Sequence, residues 1–184
     1  MIHSEIKQNL QSLVSDFCLP RYAELPTAGL HLEQVAQYIN GILRPVGCAE
    51  ITISMISNYV KKGFIEPPQK KQYTADQIAY LIFITISKSV LSLENIVALF
   101  NMQRESYTLP MAYDYFCCEL ENMLGFVFGV KDTLKTGLGM THTEEKDFFR
   151  NVIISVSHSM YITSFFSLMK EKNDALCKNN TLLL

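Results

Sequence analysis

The stretch MISNYVKKGFIEPPQKKQYTADQI, residues 55–78, decides the local fold at the centre of the chain. A helix from about 54 to 62 is predicted by three apolar residues at helical spacing: Ile56, Tyr59 and Val60. Gly63 fits the left-handed position that commonly ends a helix. The double proline at 67–68 then excludes helix, so the chain is expected to run extended through a tight turn to Tyr73.

The flanking segments predict further helices. Upstream, an apolar stripe indicates a helix over 32–43, preceded by a short helix at 4–17 and a loop bounded by two prolines. Downstream, Thr74 and Gln77 have capping-box spacing for a helix at about 75–89. Ser92 can cap a short helix that runs through Phe100. A small hairpin around 64–73 is the single β feature indicated, so the predicted fold class is all-α.

The C-terminal part of the chain predicts two long helices that are apolar over wide arcs. They run over about 110–128 and 144–172, with a glycine-containing break at 137–139 between them, and Thr141 with Glu144 forms a further capping box. Such helices are expected to pack into a bundle, within one chain or across a dimer axis. The tail from 173 to 184 has weak periodicity, and we expect it to be disordered.

The composition limits the function classes. Hydrophobic residues make up 48% of the chain and charged residues 18%, which favours an oligomer that covers apolar surface. Five cysteines without C-x-x-C spacing, and no signal peptide, favour a cytoplasmic protein. The run 151–169 lacks charged residues, but its serines and His158 favour a buried helix over a membrane span.

The segment around the double proline also carries the chemistry that the sequence offers. Ser54, Ser57, Asn58 and Lys61 are expected on the outer face of the short helix, where they could read base edges in a DNA groove. Between 51 and 74, four lysines (Lys61, Lys62, Lys70 and Lys71) oppose one acid, although the whole chain carries −2. The alternative interpretation is that these lysines simply solvate an exposed turn.

This order of elements resembles the helix, turn and wing of MerR-type regulators, and more closely the bacterial family of domain of unknown function 1836, which is described as MerR-like. The resemblance implies a winged helix-turn-helix at about 27–102, after an N-terminal helix and linker at 1–26 and before a helical dimerisation or effector region at 103–184. It implies a recognition helix that presents Ser57, Asn58, Tyr59, Lys61 and Lys62, and a wing that presents Lys70, Lys71, Gln72 and Tyr73. Two departures are a shorter wing and Ser57 where the MerR pattern has arginine.

We therefore expect a transcription regulator that binds double-stranded DNA as a homodimer. One alternative is a protein-interaction or adaptor module that kept the fold without DNA binding, which the short wing and the net acidity favour. Another is a regulator that senses a small apolar effector, with His158 and Tyr161 as polar groups of its pocket. No motif of an enzyme or of a cofactor site occurs, and Cys117 with Cys118 lacks metal-ligand spacing, so we expect no catalysis, no cofactor and no metal.

Overall fold

The computed structural model of the chain describes residues 2–134 and 144–181, with side chains described for 4–134 and 144–174. These residues form α-helices and two short 3-10 turns, Tyr22–Glu24 and Arg44–Val46. The helices are α1 (Ile2–Val14), α2 (Leu32–Leu43), α3 (Ile53–Lys61), α4 (Ala75–Ser87), α5 (Leu93–Ser106), α6 (Leu109–Val127) and α7 (Glu144–Thr181). The predicted all-α class is confirmed.

Helix α4 lies at the centre of the hydrophobic core. Every side chain from 77 to 87 is buried except Tyr80, which is half-buried. A helix that is apolar on all sides must be surrounded by other elements, and α4 packs against α2, α5 and α7. The core is continuous from α1 to α7, and α6 packs along α7 within the same chain.

The predicted capping residues place the helix starts close to their expected positions. Thr74 Oγ1 accepts a hydrogen bond from the Gln77 backbone N–H (3.4 Å), and Gln77 Oε1 accepts one from the Thr74 N–H (2.8 Å), which completes a capping box. Ser92 caps α5 by accepting from the Asn95 N–H at 3.2 Å. The predicted box of Thr141 and Glu144, and the break at 137–139, include positions outside the described residues.

Two helices extend beyond their predicted ends. Helix α5 continues past Phe100 to Ser106, because its last turns contain strong helix formers such as Gln103 and Arg104 although the apolar stripe has ended. Helix α7 continues to Thr181, so the expectation of a disordered tail is wrong for 173–181. In both places the apolar pattern stops before the helical backbone does.

One side of α7 remains open to solvent. Val152, Ile153 and Val156 are buried, but Phe148 is 51% exposed although it belongs to the same apolar helix. The described part Glu144–Asp174 is long and apolar enough to cross a membrane, and 33% of its most apolar window is buried inside the protein. A core helix of a soluble protein can pass the same test, so the absence of a membrane role stays a prediction.

Candidate nucleic-acid interface

Helix α3 is fixed to the core by its inner face and by the residues just before it. The side chain of Asn40 in α2 donates to the Ile51 carbonyl (2.9 Å) and accepts from the Ile51 N–H (2.8 Å). Thr52 then caps the helix by accepting from the Met55 N–H at 3.2 Å. Ile56 is completely buried, so the opposite face of α3 points outward.

The end of α3 has the geometry that its glycine predicts. Gly63 has a φ of 74°, and its N–H donates to the Val60 carbonyl at 3.0 Å. The Phe64 N–H donates to the Tyr59 carbonyl at 2.9 Å, which together with the first bond is the Schellman pattern. This termination turns the chain sharply, and the prolines at 67 and 68 keep the next segment non-helical.

The predicted wing is a hairpin reduced to its turn. Gln69 and Gln72 exchange both backbone hydrogen bonds (2.8 and 3.1 Å), which leaves Lys70 and Lys71 as a two-residue loop. Both lysines have positive φ, 48° and 64°, as a type I′ turn requires. Residues with a Cβ avoid this region, so two lysines there store backbone strain.

Several contacts outside the turn hold this hairpin in place. Tyr73 and Leu30 exchange backbone hydrogen bonds of 2.8 and 3.1 Å, and His31 Nδ1 lies 3.2 Å from the Lys71 carbonyl oxygen. Gln77 Nε2 donates to the Glu66 carbonyl at 2.7 Å, which ties the segment that leads into the turn to α4. The strained loop is therefore supported from both sides.

Most of the predicted interface residues are on the surface, but two are not. The exposed residues are Ser54, Ser57, Asn58, Lys61, Lys62, Lys70, Lys71 and Gln72. Tyr59 and Tyr73 are only 4% and 3% exposed, because they face the core from α3 and from the end of the hairpin. Burial raises the pKa of both phenols. Their inclusion among surface contacts therefore needs correction: they support the surface from below.

The exposed side chains of this set are uncommitted within the described residues. None of the four lysines forms an ion pair or a side-chain hydrogen bond there, and the same holds for Asn58. Glu66 is the single acid between 51 and 74. The surface therefore offers cationic and polar groups that a ligand could engage without breaking internal contacts.

A mixed cleft of about 540 Å³ lies beside the hairpin, between residues 63–69 and helices α4 and α5. Its polar wall includes Glu66, Asp76 and Arg104. Arg104 donates to the Tyr80 hydroxyl at 3.0 Å and lies 5.2 Å from the centre of that ring. The cleft is thus neither uniformly cationic nor apolar.

An apolar pocket occurs elsewhere than the sequence predicted. It has about 400 Å³, and α5, α6 and the start of α7 line it with residues that include Leu99, Met111 and Phe149. His158 and Tyr161 do not line it: His158 is exposed, and Tyr161 packs edge-on against Phe128 with ring centres 5.3 Å apart. Sequence reasoning missed this pocket because its walls come from three separate helices.

No group of three or more histidine, cysteine or acidic side chains that could hold a metal occurs in 4–134 and 144–174. Cys117 is buried and its Sγ lies 3.8 Å from the Pro20 carbonyl oxygen, and burial raises the pKa of this thiol to about 12. A thiol with a raised pKa is a poor nucleophile and metal ligand near neutral pH.

Comparison with known proteins identifies the family. Searches of curated proteins and of solved structures gave no match to this chain. A family described as domain of unknown function (DUF1836) matches residues 20–116, more than half of the chain. The matched range includes α2 to α5, the hairpin and the first part of α6. The chain therefore belongs to the family of domain of unknown function 1836.

Proposed function

We propose that this protein is a regulator that binds double-stranded DNA through the exposed face of α3 and the lysine hairpin, in the manner of a MerR-like winged helix-turn-helix. The observation that carries the proposal is a set of exposed cationic and polar side chains that, among the residues the structure describes, form no internal ion pair or side-chain hydrogen bond, on two elements anchored to the core. Rigid placement matters, because contacts held by ordered elements lose less entropy on binding.

Helix α3 is suited to the major groove. Ser54, Ser57, Asn58 and Lys61 lie on its exposed side at three- and four-residue steps. An asparagine can make a two-fold contact with adenine, and a lysine can reach guanine or a phosphate. We therefore assign base contacts to this face, with Asn58 as the residue that selects sequence.

The hairpin is suited to the phosphate backbone. Lys70 and Lys71 are adjacent at the tip of the turn, and Gln72 lies at its base. Strain retained at a surface turn has to be offset by the fold, and it is commonly found where function uses it. We assign phosphate contacts to the two lysines, which would compensate for the short wing.

The test is fluorescence-anisotropy titration of the full chain with duplex DNA from its own upstream region, over a series of salt concentrations. Replacing Lys61, Lys70 and Lys71 by alanine should weaken binding about tenfold or more and reduce the slope of log K against log salt by about 0.9 for each phosphate that the variant no longer neutralises. Lys170→Ala is the matched control, since Lys170 is exposed on α7 outside the proposed interface. Equal binding by the triple variant and the control would overturn the proposal.

Asn58→Ala tests the base contact separately. We expect it to reduce the preference for the native operator over scrambled duplex by about 1–3 kcal/mol while leaving the salt slope unchanged. An equal loss of affinity for all duplex sequences would instead indicate that Asn58 contacts the DNA phosphate backbone.

A homodimer is part of this proposal, because two copies of a recognition helix can read two half-sites one helical turn apart. A single helix of nine residues contacts few base pairs. Sedimentation equilibrium of the free protein and of the DNA complex should show two chains per duplex; one chain per duplex at saturation would contradict this part.

An adaptor without DNA binding is the second candidate, and one observation favours it. Ile53, the first residue of α3, is 42% exposed next to Ser54, and an exposed apolar residue in a binding surface is typical of protein contacts. If no duplex binds in a salt-dependent way, pull-downs with the native chain and with Ile53→Ser should be compared. A partner retained by the first and absent from the second would support the adaptor.

A further inference from the structure

The apolar pocket between α5, α6 and α7 has the size and lining of a small-molecule site. Its volume of about 400 Å³ lies within the range of ligand pockets, about 300–1,000 Å³. Met102 and Met111 contribute flexible, polarisable walls and are 41% and 62% exposed. A ligand could therefore enter without unfolding the core.

A cation already lies against the aromatic part of this pocket. The Lys146 ammonium is 5.2 Å from the ring centre of Tyr107 and 5.8 Å from that of Tyr115. The two rings come from the end of α5 and from α6, and the lysine comes from the first turn of α7. Two aromatic faces around one ammonium form the arrangement by which proteins bind organic cations.

The charges near the pocket also favour a cation. Glu145 lines the pocket, Glu144 and Asp147 flank it in the first turn of α7, and Lys146 is the one cation of that turn. Glu119 and Arg150 form an ion pair outside the lining, with Arg150 Nε 3.7 Å from Glu119 Oε2. The pKa of the Tyr115 phenol is raised by burial and then by the Glu119 carboxylate. Glu145 and Lys146 are the two charged residues of the described lining, so a positive head that displaced the Lys146 ammonium would have the Glu145 carboxylate as its counter-charge.

From these contacts we propose that the pocket binds a lipophilic organic cation, whose positive head replaces the Lys146 ammonium between Tyr107 and Tyr115. Its apolar body would fill the space between Leu99, Met111 and Phe149. An anionic ligand would meet Glu145 at the rim, and a neutral one would gain nothing from the two rings beyond burial. This proposal does not depend on DNA binding.

Three probes with the same phenylbutyl body separate these charges: phenylbutyl(trimethyl)ammonium, phenylbutanol and 5-phenylpentanoate. Isothermal titration of the full chain should show the cation binding about tenfold more tightly than the other two, as a desolvated cation–aromatic contact allows. Saturation by 5-phenylpentanoate in preference to the cation, or saturation by none of the three at millimolar concentration, would overturn the proposal.

Variants identify the site. Lys146→Met keeps an apolar stem of similar length but removes the internal cation, so we expect the ammonium probe to bind severalfold more tightly and phenylbutanol to be unaffected. Lys170→Met is the matched control and should change neither. If Lys146→Met weakens the cation probe, Lys146 does not compete for the rings and the proposal is wrong.

Removal of the rings gives the opposite change. Tyr107→Leu combined with Tyr115→Leu should lose about tenfold in affinity for the ammonium probe and little for phenylbutanol, since leucine keeps the wall apolar. Circular dichroism and thermal unfolding check that this variant folds. If the double tyrosine variant does not fold, Lys146→Met decides the question. Lys146 is half-buried in the first turn of α7, so we expect its substitution to leave the fold intact.

Discussion

Lys70 and Lys71 adopt a backbone conformation that residues with a Cβ avoid, and they do so side by side. The left-handed region costs such a residue about 1–2 kcal/mol relative to its preferred region. The surrounding contacts compensate: Tyr73 pairs with Leu30, and Gln69 pairs with Gln72. The lysine side chains contribute no internal ion pair within the described residues that would explain their choice. A ligand outside the fold, as proposed above, would give these two side chains a role that the fold itself does not.

We predict that Lys70→Asn combined with Lys71→Gly stabilises the fold and impairs binding. Asn-Gly is the preferred pair for a type I′ turn, so the free energy of unfolding should rise by about 1 kcal/mol while DNA affinity falls. Urea unfolding and anisotropy titration measure the two effects. The control Lys70→Arg with Lys71→Arg keeps both the backbone strain and the charge. It should change neither the free energy of unfolding nor the DNA affinity by much. A double variant that unfolds more easily would show that the turn is not strained.

Glu119 gives a second prediction, which concerns pH. This carboxyl is 2% exposed, and burial raises its pKa above the ordinary value more than Arg150 lowers it. A raised pKa in the folded state means that the protonated form is favoured by folding. The contribution to stability is present at pH values below the ordinary glutamate pKa and is lost as the pH rises through the folded-state pKa.

Glu119→Gln should therefore raise the free energy of unfolding at pH 7, and this gain should shrink as the pH falls through the raised folded-state pKa and be largely lost near the ordinary value of 4.5. Urea unfolding of both proteins across pH 3–8 measures the difference. Glu121→Gln is the contrast: its carboxylate accepts two hydrogen bonds of 2.7 Å from Arg21, so its loss should destabilise. A loss of stability in Glu119→Gln at pH 7 would mean that the pair with Arg150 dominates.

The helices whose starts carry a capping signal were predictable from the sequence within a few residues. Thr52, Thr74 and Ser92 each accept a backbone N–H of the first turn. The C-terminal ends of the helices were harder to predict, because α5 and α7 continue after their apolar stripes stop. The burial of Tyr59 and the exposure of Asn58 followed from the 3.6-residue repeat, whereas the family resemblance had placed both among the exposed residues. The pocket at Tyr107, Tyr115 and Lys146 depends on long-range packing that no local pattern encodes.

The capping box of α4 allows a matched test of what such signals contribute. Thr74→Ala removes a side-chain acceptor and should lower the free energy of unfolding by about 1 kcal/mol. Thr108 occupies the corresponding position before α6 but makes no cap hydrogen bond, so Thr108→Ala should cost only a few tenths of a kcal/mol. Chemical denaturation compares the two. Equal losses would indicate that the local hydrogen bond at Thr74 contributes little to the position of α4.

At the scale of the whole molecule, the open side of α7 is the surface on which we expect the second copy. Phe148, Ile162 and Phe166 are 51%, 53% and 64% exposed on one long helix. Between 151 and 169 the helix carries no charged residue. A solvent-exposed helix face normally carries charges, so an uncharged face with large apolar side chains is typical of a contact surface.

We predict that Ile162→Ser combined with Phe166→Ser converts a dimer into a monomer without unfolding the chain, because these side chains lie outside the core. Sedimentation equilibrium measures the mass, and circular dichroism checks the fold. Met111→Ser is the matched control, since Met111 is 62% exposed on α6 and its loss should leave the dimer intact. A native chain that sediments as a monomer but binds neutral lipid vesicles through Phe166 would assign the same face to a membrane instead. If the double variant remains dimeric, the second copy contacts another face, and that contact would have to set the spacing of the two α3 helices.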